Sequence, residues 1–240
     1  MTTRSVLVLW DIDRTLLYVG NIDRQVYREA FAEVVGRPAE RLPARGTGVT
    51  MPLAVRGLLL DNGVPEDDVP ALLPRIIRLL PELLSRHLPD IRRDGQLMPG
   101  AVTALRTVRK SPELLPTVVT GNLQPNAEVK LRAFDLHRYV ETGIGGYASD
   151  DSHRPALVAV AQERARVRHE NPYGRQNTVI IGDSLEDIRT GVEGGARVIA
   201  VASGTTPAER LGAEGADAVL PDLTDVDLLL KTITELAHQG

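Results

Sequence analysis

Five short apolar runs, separated mostly by segments of helical period, constrain what this chain can fold into more than any other feature. They are Val6–Trp10, Pro116–Thr120, Thr178–Ile181, Arg197–Val201 and Ala216–Leu220. Unbroken apolar runs of this length read as strands covered on both faces, which is the condition of a parallel sheet. Between and after them lie Ala101–Arg109, Pro125–Phe134, Pro155–Val167 and Asp225–Ala237. The last of these places Leu228, Leu229, Ile233 and Leu236 on one face. Alternation of this kind implies right-handed βαβ units and a doubly wound, Rossmann-like α/β sheet.

One interval breaks the alternation. About 80 residues separate the first strand from Pro99-Gly100, too many for a connecting loop in a compact domain. They contain no convincing strand. Asp23–Val35, Pro52–Leu60 and Ala71–His87 read as helices, with Pro74 and Pro81 expected to kink or break the third. The expected organisation is therefore a core of residues 1–17 and 96–240 carrying an all-helical insert of residues 18–95. The linkers fall near Leu17–Asn21 and Arg92–Pro99.

The ends of the strands carry the chemistry. Asp11-Ile12-Asp13-Arg14-Thr15-Leu16 follows the first run directly, and open α/β sheets bind ligands at the carboxyl ends of their strands. Two carboxylates at i and i+2 suit a shared metal with one group left free to react, although an aspartate after a strand more often caps a turn. The second run ends in Thr120-Gly121-Asn122, with Pro125 at a helix start. A hydroxyl, a glycine and a helix N-terminus make an anion site, or alone an ordinary turn. The third ends in Gly182-Asp183, with Asp187 four residues on. Carboxylates gathered there repel one another unless a cation intervenes, and an all-oxygen set suits Mg²⁺. Capping of the next helix by Asp183 or Ser184 is compatible with that role. Arg154, before the helix from Pro155, can reach the same edge, or can be an ordinary solvated arginine.

Composition removes several alternatives. No cysteine is present, so disulfides, thiolate catalysis and cysteine-ligated metals are excluded. The five histidines include no pair at i and i+4, so a histidine zinc site has no support. A formal charge of −4 without basic runs argues against a nucleic-acid partner. No apolar stretch is long enough to span a membrane. Met1 to Arg4 lead straight into the first strand, which a cleaved signal peptide would remove, so the expected location is cytoplasmic.

Together these residues resemble the haloacid dehalogenase superfamily of phosphohydrolases, over essentially the whole chain. Asp11 to Thr15 are similar to its DxDxT motif, Thr120 to its Ser/Thr motif, and Gly182-Asp183 with Asp187 to its GDxxxD motif. The helical insert resembles the family's C1-type cap, as in phosphoglycolate-phosphatase-like members. The resemblance implies a Mg²⁺-dependent phosphatase acting on a small phosphorylated metabolite through an aspartyl-phosphate. Asp11 is then the nucleophile and Asp13 the general acid and base. Thr120, Gly121, Asn122 and Arg154 hold the phosphate. Asp11, Asp183, Asp187 and, through its backbone carbonyl, Asp13 hold the metal.

Two positions depart from the pattern: Arg14 stands where glycine is common, and Arg154 where a lysine is usual. Lys130 lies too soon after Thr120, and too far inside a helix, to supply that lysine. Asp13 disfavours the dehalogenase branch, whose halide leaving group needs no acid. A sugar phosphomutase on the same scaffold and a non-catalytic phospho-accepting or binding domain are the competing readings. Substrate identity and oligomeric state stay open at this stage. The glycine-rich segment Arg45 to Thr50 is the first place to look for specificity.

Overall fold

The computed structural model describes residues 5–44, 46 and 48–238. Among them a parallel six-stranded sheet runs in the order β5-β4-β1-β6-β7-β8. Its strands are β1 (Val6–Trp10), β4 (Leu114–Thr120), β5 (Gly146–Tyr147), β6 (Thr178–Gly182), β7 (Arg197–Val201) and β8 (Ala218–Leu220). All five apolar runs are strands of this sheet. The short edge strand β5 has too little apolar sequence to announce itself.

The two faces of β1 explain its unbroken apolar run. Val6, Val8 and Trp10 enter one buried cluster, and Leu7 and Leu9 the other. The first face is covered by α5 (Ala101–Lys110) and α10 (Val226–His238), through Leu105, Leu229 and Ile233. The second is covered by α7 (Ala156–His169) and α8 (Leu185–Gly194), through Leu157, Val158 and Ile188. Such burial stabilises by roughly 25 cal/mol per Å² of apolar surface. The alternation of period two thus serves two cores rather than one core and solvent. Strand order departs in both directions from β1, toward β4 and toward β6. This switch point opens a crevice beyond its carboxyl end.

The interval after β1 is helical: α1 (Ile22–Val35), α2 (Met51–Asp61), α3 (Val69–Arg86) and α4 (Leu88–Asp94). The chain leaves the core through β2 (Leu17–Tyr18) and returns through β3 (Gln96–Leu97), and these two pair antiparallel. The expected break at Pro74 and Pro81 does not occur, since both lie inside the single helix α3. Ile76, Leu80, Leu83 and Leu84 are buried along one stripe, while Pro74 is exposed and Pro81 half-buried. Packing of that stripe outweighs the local cost of two missing backbone donors. The apolar cluster runs without interruption from α1 and α3 through Leu123 and Leu131 to β1. No helix among the described residues is long and apolar enough to cross a membrane.

Candidate active site

Asp11 continues the ladder of β1, its amide donating to the Ile181 carbonyl at 2.9 Å. Asp183 follows β6 in the neighbouring position. Both side chains are almost fully buried, at 5 % and 3 % exposure. Asp187 arrives from the first turn of α8. Ser184 is the N-cap of that helix: the Ser184 amide donates to Asp187 Oδ2 at 3.0 Å, and the Asp187 amide to Ser184 Oγ at 3.2 Å. This reciprocal arrangement holds Asp187 by one oxygen, Oδ2, and leaves Oδ1 for a partner from outside the helix. Capping and participation in the acidic cluster are therefore simultaneous. Carboxylate oxygens of Asp11, Asp183 and Asp187 all lie within 4.8 Å of one another.

Three buried acids this close oppose one another's ionisation. Burial, then the charge of Asp187, raises the Asp11 carboxyl well above the ordinary range despite the opposing Arg154. The same causes push Asp183 up to about 7, opposed by its Thr15 hydrogen bond and by Arg154. A cation among these carboxylates would relieve that repulsion. The donors are all oxygen, which fits a hard divalent ion such as Mg²⁺. Thr15 stands between two of the acids, its hydroxyl 3.3 Å from Asp11 Oδ2 and 3.2 Å from Asp183 Oδ1.

Arg154, the weakest expectation from sequence, is 1 % exposed and reaches the centre of the site. Its Nη2 donates to Asp11 Oδ1 at 2.7 Å and also to Asp187 Oδ1, and its Nη1 donates to the Gly48 carbonyl. Its Nε is buried with no partner among the described residues. An orphaned charged donor is costly unless something else occupies that space.

Asp13 lies apart from this cluster. Lys130 Nζ donates to its two oxygens at 2.8 and 3.0 Å, and Asn122 Nδ2 to Oδ2 at 2.7 Å. Lys130, from α6 (Gln124–Ala133), is itself buried and also donates to Asp23 Oδ2 at 2.8 Å. The Asp13 carboxylate is therefore engaged by Lys130 and Asn122 rather than by the acid triad, although its charge still acts on Asp11 and Asp183. Thr120, fully buried, accepts from the Asn122 amide at 3.2 Å and from Asn122 Nδ2 at 2.8 Å. Asn122 thus bridges Thr120 and Asp13.

Gly121 permits a close approach, and what approaches is the insert. A Cβ at Gly121 would lie 2.7 Å from the Val49 carbonyl oxygen, and Met51 N donates to the Gly121 carbonyl at 2.8 Å. Gly48, at φ +71°, is pressed against Ser184 and Arg154. The glycine-rich segment does reach the site at these positions; Arg45 and Thr47 lie outside the described residues. The departure at Arg14 also has a backbone reason. Its φ is +66°, the left-handed region that glycine occupies freely and that costs another residue about 1–2 kcal/mol. The Leu17 carbonyl accepts from the Arg14 amide at 2.7 Å, and the Arg14 carbonyl accepts from Ser203 Oγ at 2.8 Å.

The family model of the haloacid dehalogenase-like hydrolases matches residues 8–191, which includes every strand-end motif. The chain belongs to this family. No curated protein is significantly similar to it in sequence. Solved structures share the fold at low identity. A hydrolase from Pseudomonas syringae superposes with a TM-score of 0.69 at 21 % identity, covering 95 % of this chain and 99 % of that one. A haloacid dehalogenase hydrolase of family IA, variant 3, from Entamoeba histolytica gives 0.66 at 16 % identity, covering 97 % and 99 %. CbbY from Rhodobacter sphaeroides, solved in complex with phosphate, gives 0.65 at 20 % identity, covering 93 % and 96 %.

Within this hydrolase, Asp11, Asp183, Asp187 and Arg154 converge, and Thr120 with Asn122 connects to Asp13. Sequence reading assigned no role to Thr15, Lys130 or Asp23. One signal was available for Lys130: it is one of only three lysines in the chain. Nothing local marks Asp23, whose importance arises from a helix distant in sequence.

Proposed function

We propose that this hydrolase cleaves phosphate monoesters of small metabolites through an aspartyl-phosphate on Asp11. The contrast between its first two aspartates carries the reading. Asp11 is buried against Arg154 and two further acids, whereas Asp13 is about one-third exposed and held by Lys130 and Asn122. Two carboxylates two residues apart are thereby assigned different work, the pattern expected of a nucleophile and an acid–base partner.

In this scheme an Asp11 oxygen attacks phosphorus while the bond to the leaving oxygen breaks, and Asp13 donates a proton to the departing alcohol. Water then attacks the phosphorus of the aspartyl-phosphate, Asp13 takes its proton, and Asp11 is released with inorganic phosphate. The hydroxyl of Thr120, backbone amides at Gly121 and Asn122, and Arg154 through its orphaned Nε neutralise the phosphoryl oxygens. Mg²⁺ held by Asp11, Asp183, the Asp13 carbonyl and Asp187 would offset the clustered negative charge and polarise the phosphoryl group. We assign residues 18–95 to a C1-type cap that excludes water from the site and contacts the leaving group, with 1–17 and 96–240 as the core.

The test is turnover of p-nitrophenyl phosphate with Mg²⁺ by wild type and Asp11→Asn. Loss of the nucleophile lowers kcat by roughly 10³-fold or more. A variant with near-wild-type turnover would sink the assignment. Release of inorganic phosphate to water, rather than its transfer to a sugar hydroxyl, separates hydrolysis from mutase chemistry.

A further inference from the structure

Arg14 is the one cationic residue of the first motif, the reaction scheme leaves it unused, and its placement is specific. The left-handed backbone sends the side chain of Arg14 over the ring of Tyr18, with its guanidinium carbon 4.3 Å from the centroid. Both residues line the same cleft as Asp11 and Asp13. The cleft encloses about 160 Å³, a space suited to a small leaving group rather than a polymer. Arg14 is half-buried, and among the described residues its guanidinium has no carboxylate partner. Stacking orients the plane of an arginine but leaves its in-plane N–H donors free.

A second arginine shares the cleft. Arg24, from α1, also lines the cleft, and its Nη1 donates to the Pro43 carbonyl at 2.8 Å. Among the described residues that single neutral acceptor leaves most of its donors without a partner and its charge without a carboxylate. The acid nearest to it in the chain, Asp23, already has its charge engaged by Lys130. Arg154, by contrast, is committed to Asp11 and Asp187 at the reacting end. Among the described residues the lining of the cleft therefore holds one arginine committed to the acids of the reacting end and two whose charge no carboxylate takes up.

We propose that Arg14, assisted by Arg24, binds a second anionic group on the leaving portion of the substrate, so that this hydrolase prefers phosphate esters carrying a carboxylate or a further phosphate. This rests on the phosphatase reading above and adds the substrate class. Arginine matches both anions through paired N–H donors, and a preformed, stacked guanidinium loses little freedom on binding.

A matched three-carbon series tests it: glycerol 3-phosphate, 3-phosphoglycerate and glycerol 1,3-bisphosphate, assayed with wild type, Arg14→Gly and Arg14→Asn. Both replacements tolerate the left-handed backbone, so the fold is retained. In wild type, kcat/KM for at least one of the doubly anionic esters exceeds that for glycerol 3-phosphate by about tenfold or more, as charge-assisted hydrogen bonds allow. In both variants the ratio falls to within about twofold. Whichever anionic ester leads identifies carboxylate or phosphate as the preferred group. A wild-type ratio near one, or a ratio unchanged in the variants, overturns the proposal. Failure of wild type to turn over any of the three esters or p-nitrophenyl phosphate overturns the phosphatase reading itself, and this inference with it.

Discussion

Lys130 Nζ lies 2.8 Å from Oδ1 of Asp13, from a helix more than a hundred residues away, and the lysine side chain is almost wholly shielded from solvent. Together with Asn122 it fixes the direction of one of the two carboxylates that follow β1. The other, on Asp11, points into the acid cluster. This division gives a pair of neighbouring aspartates two separate surroundings.

If Asp13 protonates the leaving oxygen, its loss should depend on how much the leaving group needs that proton. Asp13→Asn should lower turnover of an alkyl phosphate by roughly 10²-fold or more, within the usual range for general acid catalysis. Turnover of p-nitrophenyl phosphate, whose leaving group is stable as an anion, should fall markedly less in the first step. Equal losses for both esters in single-turnover phosphorylation would count against Asp13 as the acid.

Removing Lys130 leaves Asp13 and Asp23 facing one another without their shared cation. Lys130→Met should destabilise the protein by about 2 kcal/mol, less than a fully buried pair would cost because both acids retain some solvent contact. For a chain of this size that lowers Tm by roughly 4–8 °C. The double variant Lys130→Met/Asp23→Asn should recover part of the loss, and an additive double variant would show that the two do not interact.

The acid triad should bind Mg²⁺ in the folded state alone. Saturating Mg²⁺ therefore raises Tm, by an amount equivalent to about 2.7 kcal/mol at a hundred times Kd. Asp183→Asn should abolish most of that rise while the metal-free protein stays folded. A Mg²⁺-dependent increase of equal size in the variant would remove Asp183 from the ligand set.

His87 ties α1 to the junction of α3 and α4, its two ring nitrogens 3.1 Å from Asp90 Oδ2 and 3.0 Å from Glu29 Oε2. The hydrogen bond to Asp90, then that to Glu29, raises its pKa above the usual 6.5. Its contribution is fully present below about pH 6.5 and is lost as the pH rises through the folded-state value. Glu29 is lowered from 4.5, hydrogen bonds from His87 and Gln25 outweighing the opposing effect of its burial. Its share is present above about pH 4.5 and is lost as acid protonates it. Wild-type Tm should therefore decline through the range just above pH 6.5, and His87→Gln should flatten that limb. Parallel Tm–pH curves for the two proteins would refute the assignment.

The strands and the placement of Asp11, Thr120 and Asp183 at their ends were legible because they depend on local pattern. A strand buried on both faces writes itself as an apolar run, and the residue that follows must emerge at the sheet edge. The helices of the interval after β1 were legible for a related reason, since so long an interruption of the βα alternation is too long for a loop. Tertiary contacts decided the rest. Pro74 and Pro81 read as kinks or breaks, and the packed stripe of α3 holds one continuous helix through them. Lys130 and Asp23 meet Asp13 only when α6 and α1 dock beside β1, and no spacing in the chain encodes that meeting. Arg14 showed itself in sequence as an exception, but only its left-handed backbone and the ring of Tyr18 decide where its charge is held. Sequence alone determined which chemical groups arrive at the sheet edge, because strand pattern is local. Their partners, and with them the difference between Asp11 and Asp13, were decided by the fold, because ion pairs and packing join residues distant along the chain.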